Sequence, residues 1–120
     1  MKNLLVFLGD HILRENIGEV LRLEGYNVIP AIGIKNLNVI KMINPDLIIF
    51  DVKQPWMNGR DLLTELRSSE STKNIKFIFI DSKKYSAERN VLKENGADAF
   101  LTIPFSLTEM LLTLTSLLRA

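Results

Sequence analysis

One apolar run that ends on a carboxylate constrains this chain more than any other stretch. It is Asp46-Leu47-Ile48-Ile49-Phe50-Asp51, followed by Val52-Lys53-Gln54-Pro55-Trp56-Met57-Asn58-Gly59. The run has the length of a strand and shows no alternation of polar with apolar side chains. That pattern suits a strand covered on both faces, as in a parallel sheet. Pro55 and Asn58-Gly59 mark a loop, and a helical pattern follows. Asp51 must then reach solvent or a site. In open α/β sheets, sites lie beyond the carboxyl ends of the strands. Asp51 is therefore either a site residue or simply the point at which the strand surfaces.

The rest of the chain repeats this unit. Leu4 to Leu8 is another apolar run, closed by Gly9-Asp10-His11. From Ile12 to Glu24 the residues Leu13, Ile17, Val20 and Leu21 recur at helical spacing, and Gly25 suits the left-handed position past the helix end. Tyr26 to Ile29 predicts a strand ended by Pro30; Leu37, Ile40 and Ile43 predict a short helix closed by Asn44-Pro45. Leu62, Leu63 and Leu66 share one side of a further helix, and Ser68 to Thr72 reads as a solvated loop. Ile75 to Ile80 is a strand leading to Asp81. Ala87 to Glu94 is a weakly amphipathic helix stopped by Asn95-Gly96, and Ala99 to Thr102 is a short strand before Ile103-Pro104. Leu107, Leu111, Leu114 and Leu118 give the core stripe of a last helix. Met110, Leu112 and Leu117 fall outside that stripe, which suits either an interface or a wider core face.

Five strands thus alternate with five helices. Short connections and right-handed crossovers give one domain, residues 1–120, with a parallel sheet covered by helices on both faces. If strands one, three and four are neighbours, Asp10, Asp51 and Asp81 meet at one edge.

Composition removes several kinds of function. A net charge of +1 gives no electrostatic case for nucleic acid or membrane as partner. The absence of Cys excludes disulfides, thiolate zinc sites and thiol nucleophiles, and a single His argues against a histidine metal cluster or a catalytic triad. No nucleophile–base pair is visible, so an enzyme is not expected. The run Leu4 to Leu8 is too short for a signal peptide or a membrane span, which fits a cytoplasmic protein.

Several stretches together resemble the receiver domain of bacterial two-component response regulators, over essentially the whole chain. Asp46 to Asp51 followed by Pro55, Met57, Asn58 and Gly59 is similar to the family's phosphoacceptor strand and loop. Glu24-Gly25-Tyr26 and Val28 match its turn into strand two. Asn95-Gly96-Ala97-Asp98-Ala99-Phe100-Leu101, then Pro104-Phe105, match its strand-five region. The resemblance implies a flavodoxin-like sandwich with strand order 2-1-3-4-5. It implies that Asp51 occupies the position phosphorylated by a partner histidine kinase, that Phe100 is the aromatic switch position, and that the bond before Pro104 is cis.

The departures from the family pattern are specific. Its two acidic residues after strand one, which hold Mg²⁺, are Leu8 and Gly9 here. A slip of one residue would recruit Asp10, but the distances to Arg14 and to Gly25-Tyr26 favour the unslipped register. The phosphoryl-binding Ser/Thr after strand four is Asp81, and the Lys before the strand-five proline is Ile103. Phosphoryl transfer to a carboxylate is mostly positioning and charge neutralisation. Leu8 and Gly9 supply no carboxylate, Ile103 no cation, and Asp81 adds negative charge where the phosphoryl group needs a donor. Each loss costs a few kcal/mol, the size of one oxyanion donor.

The expectation is a degenerate receiver without a cofactor, acting through protein contacts. Its partners would be a histidine kinase, a downstream effector, an attached output domain, or a second copy docked through the last helix. One alternative is a working receiver phosphorylated on Asp51. Another is an altered Mg²⁺ or Ca²⁺ site at Asp10, Asp51 and Asp81, against which stands simple screening by Lys53, Lys83 and Lys84. A flavodoxin shares the architecture, but Asp10 would repel a flavin phosphate. Trp56, in the loop after Asp51, is either a partner anchor or folded over the core edge.

Overall fold

The structure, a computed structural model, describes residues 1–81 and 87–119. Five strands, β1 (Asn3–Phe7), β2 (Asn27–Pro30), β3 (Leu47–Asp51), β4 (Lys76–Asp81) and β5 (Ala99–Thr102), alternate with five helices, α1 (His11–Leu23), α2 (Leu37–Ile43), α3 (Gly59–Arg67), α4 (Ala87–Glu94) and α5 (Leu107–Leu118). All neighbouring strands pair in parallel, in the order β2-β1-β3-β4-β5. This is the doubly wound sheet expected from the sequence, and the ends of β1, β3 and β4 do lie side by side.

Alternation inside the buried strands, invisible in their unbroken apolar sequences, sorts two different cores. Leu4, Val6, Ile49, Ile78, Ile80 and Leu101 pack with Ile17 and Leu21 of α1 and Met110 and Leu114 of α5. Leu5, Phe7, Ile48, Phe50, Phe77 and Phe79 pack with Ile40 of α2, Leu62, Leu63 and Leu66 of α3, and Leu92 of α4, with Phe100 against the same cluster. The second face is aromatic. Rings run across it from Phe7 to Phe50 (centroids 5.0 Å apart), from Phe50 to Phe77 and Phe79 (5.6 and 5.7 Å), and from Phe79 to Phe100 (5.9 Å). Parallel strands need both faces covered, and each face buries its own helices.

Local chemistry sets the helix ends. Asp10, Asn36, Asn58 and Ser106 cap α1, α2, α3 and α5, each accepting from the backbone N–H three residues on, at 2.9 to 3.2 Å. Gly25 ends the first turn unit at φ +95°, as expected, and Gly96 does so after α4 at φ +107°. At the end of the sheet away from Asp51, Arg67 of α3 donates to the carbonyls of Gly96, Lys73 and Ile75 and to Asp98 Oδ2. The same carboxylate oxygen accepts from Phe77 N at 2.8 Å. One guanidinium thereby ties α3 to the starts of β4 and β5.

Several expectations shift. Asp10 caps α1, so the helix begins at His11 and ends at Leu23 rather than spanning Ile12 to Glu24. Pro30 lies within β2, which is tolerated because β2 is an edge strand. The loop after α3 is not wholly solvated: Thr72 is 2% exposed and its hydroxyl donates to Leu66 O at 2.7 Å. The core face of α5 is centred on Met110 and Leu114, both fully buried, whereas Leu107 is 47% exposed. Leu117 also packs inward, so Leu112 alone of the three residues set outside the stripe is exposed. Among the described residues, no helix is long and apolar enough to cross a membrane.

Candidate functional site

The carboxyl ends of β1, β3, β4 and β5 build one rim. Asp51 closes β3 half-buried, and its Oδ1 accepts from Lys53 N at 2.9 Å. The ladder continues past it, with Val52 N donating to Ile80 O at 3.1 Å and Ile103 N to Asp81 O at 2.8 Å. The peptide bond between Ile103 and Pro104 is cis.

The loop after Asp51 is folded around a buried glutamine. Gln54 is 5% exposed; its Oε1 accepts from Trp56 N (2.9 Å) and Met57 N (3.1 Å), and its Nε2 donates to Met57 O. Asn58 then caps α3, and Gly59 enters the helix against the aromatic face. A Cβ at Gly59 would stand 2.7 Å from the Phe79 ring and 2.8 Å from that of Phe50. Trp56 is half-buried and lines, with Met57, Phe79 and Leu92, a cleft of about 390 Å³ between this loop and α4.

The other rim positions fall as follows. Leu8 is fully buried in the core under α1 and α5. Gly9 is exposed and backs onto Gln54 and Pro55, where a Cβ would meet Gln54 Cα at an ordinary 3.5 Å. Asp10 is exposed, with its carboxylate engaged by Leu13 N. Arg14 reaches back to the strand end, donating to Leu8 O at 2.8 Å and contacting His11 Nδ1 at 3.1 Å. Asp51 stands opposite Ile80 in the ladder, so Asp81 is one step further on and, by alternation, leans to the aromatic face. There it lines a small pocket with Val52, Phe79, Arg89 and Phe100. The three strand ends are adjacent, yet among the described residues no group of three acidic or histidine side chains is placed to hold a metal ion. Lys83 and Lys84 lie outside the described residues.

Phe100 stacks on Phe79 with an interplanar angle of 16°, and the guanidinium of Arg89 lies over its ring at 4.9 Å. Arg89 Nη2 also donates to Thr102 Oγ1 at 2.9 Å. Neither Gln54 nor Arg89 stands out in the sequence, because a lone polar residue in a loop or on a helix carries no spacing signal.

Comparison with known proteins agrees over nearly the full length. The model of the response regulator receiver domain matches residues 6–115. The "Probable transcriptional regulator ycf29" of Pyropia yezoensis is 32% identical over 96% of this chain and 52% of its own length. Response regulator MprA of Mycobacterium sp. (strain KMS) is 30% identical over 97% of this chain and 50% of its own. The chain spans about half the length of these curated relatives. The solved structure of chemotaxis protein CheY4 from Vibrio cholerae is 27% identical, covers 98% of this chain and 99% of its own, and superimposes with a TM-score of 0.84.

Proposed function

From the premise that this chain belongs to the response regulator receiver domain family, we propose that it is a degenerate receiver, a two-component signalling module that works through protein contacts rather than through phosphorylation of Asp51. The observation that carries this reading is the identity and placement of the rim residues. Leu8 is buried hydrocarbon, Gly9 has no side chain, and Asp10 is spent on capping α1. Mg²⁺ in phosphoryl-transfer sites takes one or two carboxylates together with phosphate and water oxygens. Beside Asp51, Leu8 and Gly9 add no carboxylate and Asp10 Oδ1 is engaged by Leu13 N, so the site lacks the further carboxylate that would hold a divalent cation before a phosphoryl group completes its shell. Asp81 and Ile103 supply neither the hydroxyl nor the cation that a phosphoryl group would need.

The module has no turnover of its own. Its partners are a histidine kinase, an effector, or an output domain joined to it, the last in keeping with relatives about twice its length. Pairing of two copies through α5 would use exposed Leu107 and Leu112. The competing reading, a working receiver, rests on Asp51 itself, which ends β3 beside the Lys53 amide.

The two separate by intact mass after incubation with acetyl phosphate and Mg²⁺. The degenerate reading expects an unchanged mass. Stoichiometric addition of one phosphoryl group, lost on Asp51→Asn, would establish the working receiver instead.

A further inference from the structure

We infer that Arg89 clamps Phe100, holding the α4–β5 face in one arrangement with nothing bound at Asp51. The argument begins with ladder register. Phe79 stands opposite Phe100, and Asp81 opposite Thr102. Residues two apart on a strand share a face, so these four side chains form a patch on the aromatic side of β4 and β5. Arg89 of α4 grips two of them. Its guanidinium lies 4.9 Å above the Phe100 ring, and its Nη2 donates to Thr102 Oγ1 at 2.9 Å. Phe100 is flanked by Phe79, stacked at 5.9 Å, and Asp81 and Glu88 line the same small pocket.

Turning Phe100 out of this position loses both the stack on Phe79 and the cation over the ring, while the bond from Arg89 to Thr102 keeps that cation in place. A guanidinium is planar and always charged, so it can stack on a ring and hydrogen-bond to a hydroxyl simultaneously. The Ser/Thr that would couple a phosphoryl group to this aromatic is absent. In its place the chain carries a cation from α4 that contacts the aromatic directly. The surface presented by α4 and β5 is thereby set by an intrachain contact, which makes Arg89 a positioning residue for whatever binds there.

The test is residue-resolved NMR on the intact chain, without phosphoryl donor or mimic, so that its failure is separate from failure of the phosphate-independent reading. In the wild type, Phe100 ring carbons should report one rotamer. In Arg89→Ala they should show exchange between two. Amides of residues 99–102 should then lose about tenfold in hydrogen-exchange protection relative to those of Val6 and Ile49. Thr102→Val should give a smaller loss of the same local pattern, and Arg89→Lys a partial rescue. Unchanged Phe100 signals and β5 protection in Arg89→Ala would overturn the clamp. So would a uniform loss across β1, β3 and β5 in both Arg89→Ala and Thr102→Val, which would make the arginine a general stabiliser.

Discussion

Gly59 shows how closely single residues fix the loop that follows Asp51. Its absent side chain is the space that two rings occupy: a Cβ would approach Phe79 to 2.7 Å and Phe50 to 2.8 Å. Ring edges in a packed core yield little, and overpacking costs about 1–3 kcal/mol. Gly59→Ala should therefore lower the melting temperature by about 4 °C per kcal/mol lost. Gly9→Ala is the matched control, since its Cβ meets nothing closer than 3.5 Å; thermal unfolding followed by circular dichroism should find it near wild type. Equal melting temperatures for the two variants would show that the rings give way. The sequence flagged Asn58-Gly59 as loop and helix entry; the cap that Asn58 makes with Asp61 N appears in the structure. The sequence could not show that Phe50 and Phe79, on neighbouring strands, are what exclude a Cβ. Gln54 was illegible altogether, because its burial comes from a loop closing over it and not from any pattern along the chain.

Among the elements, the approximate spans of α2, α4 and α5 were legible from apolar spacing, with Asn44-Pro45 closing α2 and Asn95-Gly96 closing α4, whereas the caps Asn36 and Ser106 appear in the structure. The face of α5 was not legible. Apolar residues occupy seven of the twelve positions from Leu107 to Leu118, so spacing alone fits more than one stripe. The sheet chooses between them, turning Met110 and Leu114 inward and leaving Leu107 half in water. This distinction is measurable. Met110→Ala empties a fully buried site and should cost about 2–5 kcal/mol, whereas Leu107→Ala, at an exposed first turn, should cost under about 1 kcal/mol. Urea unfolding of the two variants gives the comparison. A larger loss at Leu107 would mean that its exposed face is covered in solution, as pairing of two copies through α5 would require.

For the whole molecule, the strand order brings Leu8-Gly9, Asp51, Asp81 and Ile103 to one rim, so chemistry there depends on all four strand ends at once. The fold was legible because apolar runs alternate with helical patterns. The rim's meaning was legible only through its resemblance to a family, since no spacing rule says what Leu8 or Ile103 replaces. If the rim lacks phosphoryl chemistry because of those residues, restoring them should restore it. Leu8 is the wrong place to begin: it is fully buried in the core, and a carboxylate there would stand among Val6, Ile17 and Ile49. Gly9 is exposed and has ordinary room for a Cβ. The informative variant is therefore Gly9→Asp with Asp81→Thr and Ile103→Lys, which supplies a second carboxylate beside Asp51, a hydroxyl and a cation while sparing the core. Mg²⁺ needs only one or two protein carboxylates when phosphate oxygens complete its shell. Beryllofluoride, a phosphoryl mimic, should leave the wild-type amide spectrum unchanged with or without Mg²⁺. In the triple variant it should produce Mg²⁺-dependent shifts at Asp51 and its neighbours. Wild-type shifts of that kind would end the degenerate reading. A folded triple variant that stays silent would show that Gly9, Asp81 and Ile103 are not by themselves what withholds the chemistry, and would turn attention to the loop that Gln54 braces after Asp51.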